Sequence, residues 1–161
     1  MPVESLDKST RGNASQFFVA GELCRRGWVA VVTLGNTPNT DILCSNREGS
    51  KFVHIQVKTF VPGNRTVSVG RKAEKDFGKT FVWVLAGIPH PNTDKPFEFF
   101  VIPSAEMAWN VKSAQERWLR DVPTRRDSDV RIVTLPPRTN YIGWDISPYR
   151  NRWELIEALL T

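Results

Sequence analysis

The chain alternates between apolar runs with a period of two and stripes with a helical period. Residues 9–26 carry Phe17, Ala20, Leu23 and Cys24 at helical spacing, which predicts a helix, with Gly27 suited to its C-terminal cap. "WVAVVTL" (28–34) is β-branched and apolar and predicts a strand, and "GNTPNT" (35–40) a loop. "DILCS" (41–45) and "KFVHIQVKTF" (51–60) predict two strands around the polar turn "NREG". "TVSVG" (66–70) predicts a short strand, followed by a brief basic helix near 71–77. "KTFVWVLAGI" (79–88) reads as a buried strand and "FEFFVIP" (97–103) as its successor after the turn "HPNTDKP". Residues 104–120 read as a helix, 121–140 as a loop holding the strand "VRIVTL", and 148–160 as a closing helix with Trp153, Ile156, Leu159 and Leu160 at helical spacing.

This order gives an α/β (mixed α+β) fold with one central mixed sheet and helices on both faces, its first three strands forming a meander. All 161 residues fit one domain, with the patterned core in 9–103 and a C-terminal helical extension in 104–161.

The hairpin register follows from the pattern. A turn centred between Glu48 and Gly49 pairs Cys44 with Val53 and Ile42 with Ile55, setting two apolar pairs on one face. Leu43 then pairs with His54 and Asp41 with Gln56, and Lys58 shares the polar face because side chains alternate with period two. Two readings of Asp41, Gln56 and Lys58 stand at this point: a metal-and-lysine site, or the wet face of a half-buried hairpin.

Composition changes the picture modestly. Hydrophobic residues make up 40% and charged residues 24%, with no apolar run long enough for a transmembrane helix. Two cysteines, two histidines and no Cys-x-x-Cys argue against a zinc site and for free thiols, hence a cytoplasmic location. The net charge is +5 and its excess lies in 61–80 and 104–126. Taken alone, each stretch reads first as a solvated face, and as a nucleic-acid surface second.

An Asp, then a strand ending in "QVKT", after a helix and a strand, resembles the PD-(D/E)XK (restriction-endonuclease-like) nuclease superfamily over roughly residues 11–60. "GNASQFFVAGELCRRGWVA" resembles the family's first helix and following strand, "NTDILCS" the strand supplying the aspartate, and "HIQVKT" the strand supplying the second ligand and the lysine. Gln in place of the acid is similar to a branch found in uncharacterised bacterial proteins and some intron-type homing endonucleases.

The resemblance implies a restriction-endonuclease-like core and a Mg²⁺- or Mn²⁺-dependent endonuclease hydrolysing DNA phosphodiester bonds. Asp41 is then a metal ligand, Gln56 a neutral carbonyl ligand and Lys58 the catalytic lysine. The family's helix brings a Glu to the metal. Here the corresponding position is Gln16, and Glu22, the carboxylate available further along the helix, points elsewhere. Arg65, Arg71, Lys72 and His54 are the expected nucleic-acid contacts. With one carboxylate, the metal would bind chiefly with substrate. Two alternatives remain: an inactive domain of the same fold that binds nucleic acid or a partner protein, and a small α/β interaction protein. Related nucleases that cut both strands often dimerise, so a homodimer belongs to the same expectation.

Overall fold

The computed structural model describes residues 7–35 and 37–161. Its elements run α1 (Lys8–Arg25), β1 (Val29–Val32), β2 (Ile42–Ser45), β3 (Phe52–Phe60), β4 (Thr66–Ser68), a 3₁₀ turn (Arg71–Glu74), β5 (Phe81–Gly87), β6 (Glu98–Pro103), α2 (Ser104–Asp121), β7 (Ile132–Thr134), a second 3₁₀ turn (Ser147–Tyr149) and α3 (Glu154–Leu160). Among the described residues no helix is long and apolar enough to cross a membrane.

Five strands form one sheet in the order β1-β2-β3-β5-β6. β1, β2 and β3 are an antiparallel meander, β3 and β5 run parallel, and β6 returns antiparallel to β5. Burial on both faces explains why β5 is apolar throughout: every residue of Phe81–Gly87 is buried. One face carries Ile42, Cys44, Val53, Ile55, Val57, Val82 and Val84 against α1 and α3. The opposite face carries Phe60, Trp83, Leu85, Phe100 and Ile102 against α2 and a small second sheet of β4 and β7. The mixed α+β architecture with helices on both faces is therefore the observed one. Residues 104–161 contribute to both cores, through Met107 and Val111 on one side and Trp153, Ile156 and Leu160 on the other.

The expected hairpin register holds over β2 and β3: Ile42 faces Ile55, Leu43 faces His54 and Cys44 faces Val53. Three expectations need correction. The buried stripe of α1 is Ser15, Val19, Ala20 and Leu23, whereas Phe17 is 67% exposed and Cys24 is exposed. Val19 and Leu23 follow Ser15 at four-residue steps, and the helix turns that row toward β3. A hydroxyl replaces an apolar group on this row because Ser15 Oγ and Thr59 Oγ1 share a 2.6 Å hydrogen bond. The closing helix begins at Glu154 rather than 148, because Pro148 falls in a separate 3₁₀ turn. Similarly, the basic helix near 71–77 is a single 3₁₀ turn, Arg71–Glu74.

Candidate functional site

α1 starts cleanly because Asp7 caps it, accepting hydrogen bonds from the Ser9 and Thr10 backbone N–H groups at 2.7 and 3.0 Å. The helix is then fixed to the sheet by the Ser15–Thr59 bond and by the Arg11 guanidinium, which donates to the Ile88 carbonyl at 3.2 Å. This anchoring places the polar stripe of α1 beside β3. A cleft of about 600 Å³ opens there, with Gln16 from α1, Asn39 and Asp41 from the β1–β2 connection, Gln56 from β3 and Lys72 from the 3₁₀ turn on its walls.

Asp41 lies just outside β2, where the strand parts from β3. Its backbone N–H donates to the Ile55 carbonyl at 2.9 Å, and strand pairing ends at Ile42 and Ile55. The side chain then replaces the missing ladder. Asp41 Oδ2 accepts from the Val57 backbone N–H at 2.8 Å and from Gln56 Nε2 at 2.5 Å. The predicted neighbourhood of Asp41 and Gln56 is thus real, although it is made by side chains rather than by a strand pair. Only an amide nitrogen donates to a carboxylate, so this bond aims Gln56 Oε1 away from Oδ2. Among the described residues, Asp41 Oδ1 and Gln56 Oε1 accept no hydrogen bond.

Burial pushes the Asp41 carboxyl above the usual carboxylate range, against the Val57 N–H and the charges of Lys58 and Lys72, which favour the ionised form. Lys58 is half-buried two residues beyond Gln56 on the same strand face. Among the described residues neither Lys58 nor Lys72 forms a salt bridge. The cleft is therefore lined by one carboxylate, four side-chain amides (Asn13, Gln16, Asn39 and Gln56) and Lys72, with Lys58 further along β3. The described residues include no group of three or more His, Cys, Asp or Glu side chains arranged to hold a metal ion. Hard oxygen donors are nevertheless present in Asp41 Oδ1 and Gln56 Oε1, and Mg²⁺ keeps several waters, so these residues fit a weakly held hard cation.

The other sequence candidates scatter. Glu22 points away and is held by Arg25 at 2.7 Å and Arg26 at 2.8 Å, which depress its pKa. His54 is exposed, with Nδ1 3.1 Å from Thr40 Oγ1. Arg65 is exposed at the entry to β4. Arg71 is turned from the cleft onto Asp127 and Asp129. Sequence reading missed Ser9 and Asn13, which line the cleft with Gln16. Their spacing was the available signal, since Ser9, Asn13 and Gln16 fall on one helical face.

No family model matches the chain, and no curated protein matches it. Among solved structures it is similar to that of a bacterial homing endonuclease, I-Ssp6803I, with a TM-score of 0.53 and 18% identity over 94% of this chain and 93% of that one. At that identity the likeness is one of fold, and it extends over nearly the whole chain. The fold is thus nuclease-like, a mixed sheet with the cleft of Asp41 and Gln56 where β2 parts from β3.

Proposed function

We propose that the protein is a metal-dependent endonuclease of the PD-(D/E)XK type that hydrolyses DNA phosphodiester bonds at the Asp41 cleft. The observation that carries this reading is the Asp41–Gln56 hydrogen bond, which among the described residues leaves one oxygen of each side chain without a hydrogen bond, with Lys58 near enough for its charge to act on Asp41. Asp41 Oδ1 and Gln56 Oε1 would hold Mg²⁺ or Mn²⁺, which when bound would polarise the scissile phosphate and lower the pKa of the attacking water.

The chain's own residues do the rest. Lys58 orients the water and offsets the negative charge that develops on the phosphate oxygens. Gln16 faces the same cleft with an amide that can bind the water or a phosphate oxygen. Lys72 and Arg65 are exposed cations for phosphates of the backbone. Arg71 is committed to Asp127 and Asp129 and takes no such contact in this reading. Cutting both strands of a duplex calls for two such sites, which a homodimer supplies.

The single carboxylate favours a second reading, a domain of the same fold that binds DNA without cutting it. A fluorescent DNA substrate with Mg²⁺ or Mn²⁺ separates the two. Hydrolysis that Lys58→Ala slows by about 10²–10³-fold supports the enzyme. Binding without hydrolysis supports the second reading, and cleavage unaffected by Lys58→Ala overturns the assigned mechanism.

A further inference from the structure

Arg131 is the one charged residue among the described residues that is buried, at 3% exposure. Its guanidinium is held on two of its nitrogens: Nε donates to Glu74 Oε1 at 2.5 Å, and Nη1 donates to the Ser128 and Val130 carbonyls at 2.6 and 2.9 Å. Asp127 Oδ1 lies 3.2 Å from Nη1 and also accepts from Gln115 of α2 at 3.0 Å, while its other oxygen binds Arg71.

A buried ion pair contributes little net stability, because desolvation offsets the attraction, so its use is sought in what it fixes. The network closes around one element. The Arg131 carbonyl accepts from the Val69 N–H at 2.9 Å and the Gly70 N–H at 3.4 Å, where the chain enters the 3₁₀ turn, and its side chain holds Glu74 at the exit. Between these two grips, Ala73 is fully buried in the core and Arg71 is spent on Asp127 and Asp129. Lys72 alone of this turn's charges has no salt-bridge partner among the described residues, and it is the one that lines the Asp41 cleft.

We propose that Arg131 is a positioning residue, which clamps both ends of the 3₁₀ turn so that Lys72 is held at the Asp41 cleft to receive an oxygen of a DNA phosphodiester. This rests on the nucleic-acid part of the reading above, and it assigns the recognition of that phosphate to a preset cation rather than a mobile surface lysine. Presetting matters because a free lysine loses rotamer and backbone freedom on binding, whereas a clamped turn has already lost part of it.

The test is the salt dependence of affinity for a fluorescein-labelled duplex, measured by anisotropy in EDTA so that cleavage does not intervene. Lys72→Met should lower the magnitude of the slope of log K against log[KCl] by about 0.9, one phosphate contact. Glu74→Met decides the question, because it removes a negative charge together with the oxygen that Arg131 Nε grips. By charge alone it would strengthen binding, and by positioning it weakens binding and lowers the slope. Arg131→Met should do the same, and adding Lys72→Met to either variant should change the slope no further.

Circular dichroism and thermal melting establish that each variant is folded. If Arg131→Met does not fold, Glu74→Met still gives the answer. A wild-type slope in Glu74→Met, or a full additional loss when Lys72→Met is placed in that background, overturns the proposal. A protein that shows the expected slopes but leaves DNA uncut refutes hydrolysis and leaves the clamp standing. A wild type that binds no DNA overturns both.

Discussion

Asp41 carries the most informative substitution, because two replacements separate its charge from its hydrogen bonds. Its Oδ2 is the acceptor for the buried Val57 N–H and for Gln56 Nε2. Asp41→Ala removes that acceptor. A buried donor left without a partner costs about 1–3 kcal/mol, which for a domain of this size lowers Tm by about 2–12 °C. Asp41→Asn keeps an acceptor oxygen in place and removes the charge.

The sign of its effect follows from the raised carboxyl pKa. Burial makes the folded state favour the protonated form, so the wild type loses stability as pH rises from the ordinary carboxylate range through the folded pKa. Asp41→Asn escapes that loss. At pH 7 it should melt at or above the wild-type temperature, and the advantage should vanish as the pH falls below about 3.9, the unfolded carboxylate value. Differential scanning calorimetry across pH reads both variants, and a cleavage assay should find both inactive. An Asp41→Asn protein that at pH 7 is as unstable as Asp41→Ala would show that the charge itself holds the fold, and the reasoning would fail.

Other substitutions probe neighbouring features. Gln56→Glu replaces an amide donor by a second carboxylate facing Asp41 Oδ2, so Tm in EDTA should fall by a few degrees, about 1–3 kcal/mol, and recover with Mg²⁺; a Tm indifferent to Mg²⁺ would count against the pair as a cation site. Gly87→Ala would set a Cβ 2.7 Å from the Phe60 ring carbons Cε2 and Cζ, and Phe60 is itself buried, so overpacking of about 1–3 kcal/mol should appear as a lower urea midpoint with an unchanged m-value. The Cys44 thiol is pushed up to about 12, chiefly by burial, so a thiol reagent should titrate one cysteine in the native protein, the exposed Cys24, and the second only on unfolding.

Much of this fold was legible because β-strands alternate strictly. The hairpin register could be read from two apolar pairs, and a slip by one residue would have turned Ile42, Cys44, Val53 and Ile55 into solvent. The run of β5 read as buried because it has no polar face at all. Helix α1 was less legible. Its buried row includes a serine whose hydroxyl bonds the Gly12 carbonyl one turn back and also Thr59, a partner 44 residues away that no local pattern reveals.

The site was legible in part for the same reason. Asp41 and Gln56 were brought together by register, yet the contact depends on β2 parting from β3, a local departure that alternation does not encode. The basic run after β4 could not be resolved by composition, since Arg71 and Lys72 are adjacent in sequence but are sent to opposite fates by Asp127 and Asp129, more than fifty residues on. Nor did the pattern announce Arg131, which reads as an ordinary residue of a short strand until its burial is seen.

The proposed hard-cation site consists of Asp41 Oδ1 and Gln56 Oε1. A crystal of the protein with duplex DNA, soaked in Mn²⁺ and measured at the manganese absorption edge, tests it most directly. The expected result is an anomalous peak bound by Asp41 Oδ1 and Gln56 Oε1 with a phosphate oxygen beside Lys58. A cleft without the peak at high Mn²⁺, with Asp41 drawn into an ion pair with Lys58, would contradict it.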